Sequence, residues 1–279
     1  MSLRDKALRV LASVTRQGLV ILATILALFP VYFMAVSALK SRSEYISNKW
    51  GLPASLFLGN FATALAGEKF LIRFANSAIL TVGSVGISMV IACLAAYAFS
   101  RMEFQAKRSL FNVILSLMVI PPVVMIIPLF VTMAHWGLIN TRGGTILIYT
   151  GLLLPFSIYL MTNFFQTIPR EIIDSARIDG CSNFAILWRI MMPLSSPAVI
   201  TLIVVNALWA WNELLIALIF LQKDSLKTLM VAIATLRSRN YVDVPVTMAG
   251  MLIATIPIVV VYLLGQRYFI RGLTSGAFK

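Results

Sequence analysis

The sequence predicts an all-α integral membrane protein with six transmembrane helices, and three observations lead there. Hydrophobic residues make up 60% of the 279 and charged residues only 12%, whereas soluble domains run near half apolar and a quarter charged. Several uncharged runs are long enough, at ~1.5 Å rise per residue, to cross a hydrocarbon core of ~30 Å. The polar stretches between them are too short to hold a core of their own, so 1–279 reads as a single transmembrane domain. The net charge of +13 then points to anionic headgroups and cytoplasmic anchoring rather than to nucleic acid.

The first helix is expected over 17–39, after Arg4, Lys6, Arg9 and Arg16. That run is too long for a signal-peptide core and no small-x-small cleavage site follows it, so it reads as an uncleaved helix with a cytoplasmic start. The second, 74–100, carries Gly83, Ser84, Gly86 and Ser88. Small residues at helical spacing let backbones approach closely in lipid, which makes this helix central to a bundle. Arg101, Lys107 and Arg108 fill the next short loop, on the basic, cytoplasmic side. The third, 109–133, contains Pro121, Pro122 and Pro128 and should bend near its middle. His135 and Trp136 follow as anchors at the outer interface. The fourth spans 144–168 with Pro155 inside it, the fifth 197–221 and the sixth 244–266. Six crossings from a cytoplasmic start return the C-terminus to the cytoplasm.

Cys93, Cys181 and His135 show no metal-ligand spacing and read as packing residues, with no metal site. No G-x-x-x-x-G-K-[ST] occurs, so the chain lacks a phosphate loop and is not expected to hydrolyse nucleotide.

The polar interlude 169–196 carries Arg170, Glu171, Asp174, Arg177, Asp179 and Arg189 in an otherwise apolar chain. Pro169 suits the first turn of a helix, and Glu171 and Asp174 suit its dipole. Gly180 is placed to end that helix in a left-handed conformation. Ser182 or Asn183 can cap a second helix that reaches Met192 before Pro193 stops it. Two short helices of mixed charge fit either a protein groove or the membrane interface. The residues alone leave both readings open.

A resemblance separates them. Asp174-Ser175-Ala176, then Asp179-Gly180, then Ile190, Pro193, Leu194 and Pro197 resemble the EAA loop of binding-protein-dependent ABC importer permeases. The sequence departs from that pattern at Asp174, where Glu is usual, and at Ser175, where Ala is usual; charge and small size are kept. The stretches 95–104, 120–130, Trp211-Asn212-Glu213 and the closing RGLTSGAFK are similar to the carbohydrate-uptake branch, in particular the smaller six-helix permease of maltose-type importers.

The resemblance implies a heterodimer with a second permease, two cytoplasmic ATPase subunits and an external solute-binding protein, in a bacterial-type inner membrane with both termini cytoplasmic. ATP and magnesium would sit on the ATPases, with no cofactor on this chain. The interlude, lying between the fourth and fifth helices, would be the coupling helix, with Asp174, Ser175, Ala176, Asp179, Gly180, Phe184, Ile190 and Pro193 at the ATPase. Thr274, Ser275 and Gly276 would be the tail's contact with it. The loop 222–243 would touch the binding protein.

Glu213 reads as a carboxylate inside an apolar helix, an expensive placement, about 16 residues past Pro197 or ~24 Å along the axis. Bracing the bundle and contacting substrate are both open for it. Trp209, Trp211 and Asn212 are its candidate neighbours on a sugar path, since aromatic faces and amides suit sugars. A stand-alone carrier driven by an ion gradient is the alternative class, but no internal repeat and no set of ionisable midplane residues supports it.

Overall fold

The structure is a computed structural model that describes residues 3–66, 70–235 and 243–275. Among these every regular element is helical. The helices are α1 (Leu3–Ala38), α2 (Arg42–Ser47), α3 (Gly59–Ala66), α4 (Phe70–Arg101), α5 (Lys107–Leu117), α6 (Pro122–His135) and α7 (Arg142–Gln166). They continue with α8 (Arg170–Ile178), α9 (Asn183–Ile186), α10 (Met192–Leu194), α11 (Ser196–Asn212), α12 (Leu215–Phe220), α13 (Leu229–Ala234) and α14 (Val244–Ser275). Among the described residues four stretches are long and apolar enough to cross a membrane, namely Ser13–Ala38, Phe70–Arg101, Arg142–Gln166 and Val244–Gln266, and two bent pairs raise the number to six if each is one span.

The chain divides into two compact units. The first comprises residues 1–68 and 233–255. In it α1 leaves Leu19 to Leu28 largely exposed, as suits a helix that meets lipid. Beyond α1 the chain folds on itself around Lys40. That side chain is fully buried, and its ammonium donates to the carbonyls of Asn48 (2.6 Å) and Gly51 (2.6 Å). Buried charge requires such partners. Asn60, also buried, donates to the carbonyls of Ala38 and Lys40. Trp50 stacks on Phe29 at 5.9 Å.

The second unit comprises residues 69–232 and 256–279. Its core joins α4, α7, α8, α9 and α11 through Cys93, Ala96, Met161, Phe165, Ile173, Ile186, Met191 and Leu202. Small side chains on α4 (Ser84, Ser88, Ala92, Ala96) are buried, which is what close helix approach in lipid demands. Gly265 of α14 serves the same end: a Cβ there would lie 2.5 Å from Val204 Cγ2 of α11.

Four elements differ from the sequence expectation. The third span is broken, α5 and α6 meeting at 101°. Pro121 and Pro122 have no N–H to continue a helix from α5, so the chain restarts with Pro122 in the first turn of α6. The fifth helix, expected over 197–221, ends at Asn212 and resumes as α12. Pro193 does not stop the second interlude helix; a π turn over Leu187–Met191 carries the helical path through to Leu194. A proline ring collides with the carbonyl four residues back, here Arg189, and that carbonyl lies within the widened turn. α14 also runs nine residues past the expected end at 266, to Ser275.

Candidate functional site

Two regions of the second unit carry the residues singled out by sequence, and they lie at opposite ends of α4 and α7. The first is the elbow made by α8 and α9. Glu171 sits in the first turn of α8 and Arg177 in the last, each favourable to the helix dipole. Gly180 follows with φ +79, and the amide of Cys181 closes the turn on the carbonyl of Ala176 at 2.9 Å. Ser182 Oγ then accepts from the amide of Ala185 at 3.3 Å and caps α9.

One side of the elbow is buried and the other is bare. Ile173 and Ala176 enter the core with Phe165, Ile168, Ile186 and Leu187. Asp174, Ser175, Asp179, Gly180 and Pro193 are exposed, and Ile190 is half-buried. Asp174 pairs with Arg177 at 3.6 Å in solvent, and Ser175 Oγ donates to the carbonyl of Glu171. Ile178 is 87% exposed and Phe184 66%, a large apolar display for a turn flanked by charge. Ala176 thus differs from its neighbours in the Asp174–Ala176 triplet: it is a core residue.

Two side chains to which the sequence reading gave no bonding role fasten the elbow to the long helices. Tyr97 Oη of α4 donates to Asn183 Oδ1 at 2.9 Å. Arg101, at the end of α4, donates from Nη2 to the carbonyls of Phe165 and Ile168, the latter at 2.5 Å. Both carbonyls lie at the end of α7, where that of Phe165 also accepts from the amides of Thr167 and Ile168. A displacement of α8 is therefore felt by both α4 and α7.

The second region is the other end of these helices, where Trp209, Trp211, Asn212 and Glu213 lie. They do not form one cluster. Glu213 has extended backbone (φ −66, ψ 121) between α11 and α12, which corrects its placement inside a helix. Its carboxylate accepts from Tyr149 Oη at 2.7 Å, from the amide of Ile216 at 2.8 Å and from that of Ala217 at 3.0 Å. It caps α12 and ties it to α7. Trp209 lies edge-on to Tyr149, with ring centroids 5.5 Å apart. Trp211 faces elsewhere, packing on Phe74 at 5.4 Å and lining a cavity of about 470 Å³ between α4, α11 and α14. Among the described residues lining that cavity Thr81 carries the one hydroxyl and the rest is nearly all apolar, which gives a sugar hydroxyl little to bond. Asn212 is exposed and spends its amide on the carbonyl of Leu208.

The same end anchors the loop after α12 through residues that sequence reasoning missed. Asn76, fully buried, donates to the carbonyls of Ser225 (2.9 Å) and Lys227 (3.1 Å) and accepts from Arg142 Nε at 3.0 Å. Asn140, with φ +58, accepts from the amides of Gln222 (2.6 Å) and Lys223 (2.9 Å). Ser77 Oγ accepts from the amide of Leu229. Asn76→Ala would strip partners from two loop carbonyls and Arg142. It is expected to speed amide hydrogen exchange over 222–229 and leave α8 unchanged; equal exchange in variant and parent would contradict this anchoring.

Thr274 and Ser275 fall in the last turn of α14, and Gly276 and residues 236–242 of the loop 222–243 lie outside the described residues. Among the described residues no group of His, Cys, Asp or Glu is arranged to hold a metal ion.

Long apolar helices, two sharply bent helix pairs and an exposed, firmly tethered elbow at one end suit a membrane transport component. Residues 88–275 match the family described as the binding-protein-dependent transport system inner membrane component, and the chain belongs to that family. It is 36% identical to a putative ABC transporter permease of Caldicellulosiruptor sp. (strain Rt8B.4), over 92% of this chain and 93% of the relative. It is 33% identical to the melibiose/raffinose/stachyose import permease MelC of Bacillus subtilis (strain 168), over 99% and 98%. In structure it is similar to a chain of a bacterial ABC transporter involved in import of the acidic polysaccharide alginate, with TM-score 0.83, 25% identity and coverage of 96% and 99%.

Proposed function

We propose that this chain is a permease subunit of an ATP-driven, binding-protein-dependent importer of a sugar or sugar derivative. It crosses the inner membrane six times, α5 and α6 together making the third crossing and α11 and α12 the fifth, with both termini in the cytoplasm. It forms the translocation path with a second permease, receives substrate from an external solute-binding protein, and draws energy from two ATPase subunits that hold ATP and magnesium. The α8–α9 elbow is the coupling element, and the tail around Thr274, Ser275 and Gly276 contacts the ATPases as well.

The observation that carries this reading is the division of the elbow into a bare face and a buried one. Ile178 and Phe184 are offered to a partner, while Ile173, Ala176 and Asn183 engage α4 and α7. Short helices that dock by apolar anchors use this arrangement. Sugar specificity rests on relatives such as MelC, whose name gives oligosaccharide import, and the apolar lining beside Trp211 assigns most hydrogen bonds to sugar elsewhere on the path. Glu213 is a brace in this account, with Trp209 packed beside it.

Reconstitution tests the function. Proteoliposomes holding both permeases and the ATPases should accumulate labelled oligosaccharide only with ATP on the ATPase side and loaded binding protein on the other. Uptake driven by an ion gradient without ATP would refute the assignment.

A further inference from the structure

A second feature at the elbow end of the bundle is not used by coupling. The end of α4, the start of α5 and the α7–α8 turn enclose a cleft of about 490 Å³ whose walls include Arg101, Lys107, Gln166, Thr167 and Arg170. We infer that this cleft is a binding site for the phosphate of an anionic membrane lipid.

The charge in the cleft calls for an anion. Three basic side chains line it against one acid, Glu171. Arg101 spends Nη2 on two neutral carbonyls, and its Nε is buried without a hydrogen-bond partner. Lys107 is partly neutralised by Glu103 at 3.2 Å. Arg170 is exposed and makes no ion pair or hydrogen bond among the described residues. α5 also opens at the cleft, on Ala106, without a side-chain cap, so its first amides add to the positive field. Two forked guanidinium groups beside an ammonium are the donors that phosphate oxygens take best.

The surroundings select a lipid as the source of that phosphate. α4 and α7, both membrane-crossing helices, end at the cleft, which sets it at headgroup depth. Phe99 lines it and packs on Phe104 at 5.7 Å and Phe111 at 5.3 Å, an aromatic group of the kind that sits at membrane interfaces. From there α5 leads away with no buried residue, leaving Leu110, Val113 and Leu117 exposed. A headgroup held at Arg101, Lys107 and Arg170 places its acyl chains against that apolar face. Basic pockets between membrane helices recognise anionic headgroups in this manner.

The test uses the complete transporter in phosphatidylcholine nanodiscs doped with phosphatidylglycerol, followed by native mass spectrometry of the lipid that stays bound. The parent should retain phosphatidylglycerol in preference to phosphatidylcholine. Lys107→Gln with Arg170→Gln should weaken retention about thirtyfold, since each basic group at the surface contributes roughly a factor of five. Arg170→Gln alone, which removes no bond within the protein, should weaken it about fivefold, and Lys107→Arg should retain the lipid. Equal retention by parent and double variant would overturn the site. Displacement of the lipid by inorganic phosphate at matched concentration would overturn the lipid assignment in favour of a free anion.

Discussion

Gly180→Val is expected to abolish sugar uptake while the protein remains in the membrane at its normal level. Gly180 holds φ +79, and a Cβ built there meets nothing within 4 Å, so no internal clash confuses the result. What valine changes is the backbone. A β-branched residue in the left-handed region costs about 1–3 kcal/mol, and the turn relieves that strain by leaving this conformation. The amide of Cys181 then loses the carbonyl of Ala176, and α9 swings away from α8. Ile178 and Phe184 no longer form the one surface proposed to meet the ATPase. Asn, which adopts the left-handed region with little penalty, should keep much of the uptake. A Val variant with normal uptake, or an Asn variant as dead as Val, would contradict this role for the turn.

Glu213→Ala is expected to lower stability by about 3 kcal/mol or more, because three donors lose their acceptor at once. Tyr149 Oη and the amides of Ile216 and Ala217 have no water to turn to within the bundle. Tyr149→Phe, removing one donor, should cost about 1 kcal/mol. Glu213→Gln keeps one acceptor oxygen, which can serve Tyr149 Oη and the amide of Ala217 and leaves the amide of Ile216 facing its NH2. It should cost about 1 kcal/mol of stability and leave sugar preference close to that of the parent. Thermal unfolding in detergent checks the first two, and competition uptake with alternative sugars checks the third. A shifted preference in Glu213→Gln would return Glu213 to the substrate path.

What sequence chemistry could read was what is decided locally. Gly180 and Ser182 announce a left-handed turn and a cap because glycine and serine do this work within three or four residues, and both take those conformations. The apolar runs likewise mark the long helices. The break after Asn212 was hidden because Leu214 to Leu221 continue an apolar run. The acceptor that ends α11 and starts α12 acts through Tyr149, 64 residues away. The prolines at 121 and 122 promised a bend, but nothing local fixes an angle of 101°. The bonding roles of Asn76, Tyr97, Arg101 and Asn140 went unread for the same reason. Each works on a partner far along the chain, and single polar residues near helix ends look alike until the fold brings their acceptors close.

The account stands on the elbow of α8 and α9 being the surface that meets the ATPase. The direct measurement is photo-crosslinking from position 178 in inside-out membrane vesicles that hold the whole transporter. Ile178 is the most exposed apolar residue of the elbow, and a photoreactive amino acid there disturbs no contact in the core. The account predicts a product joined to the ATPase subunit, with a yield that changes when ATP is bound. A product with lipid alone, in vesicles that import sugar normally, would contradict it.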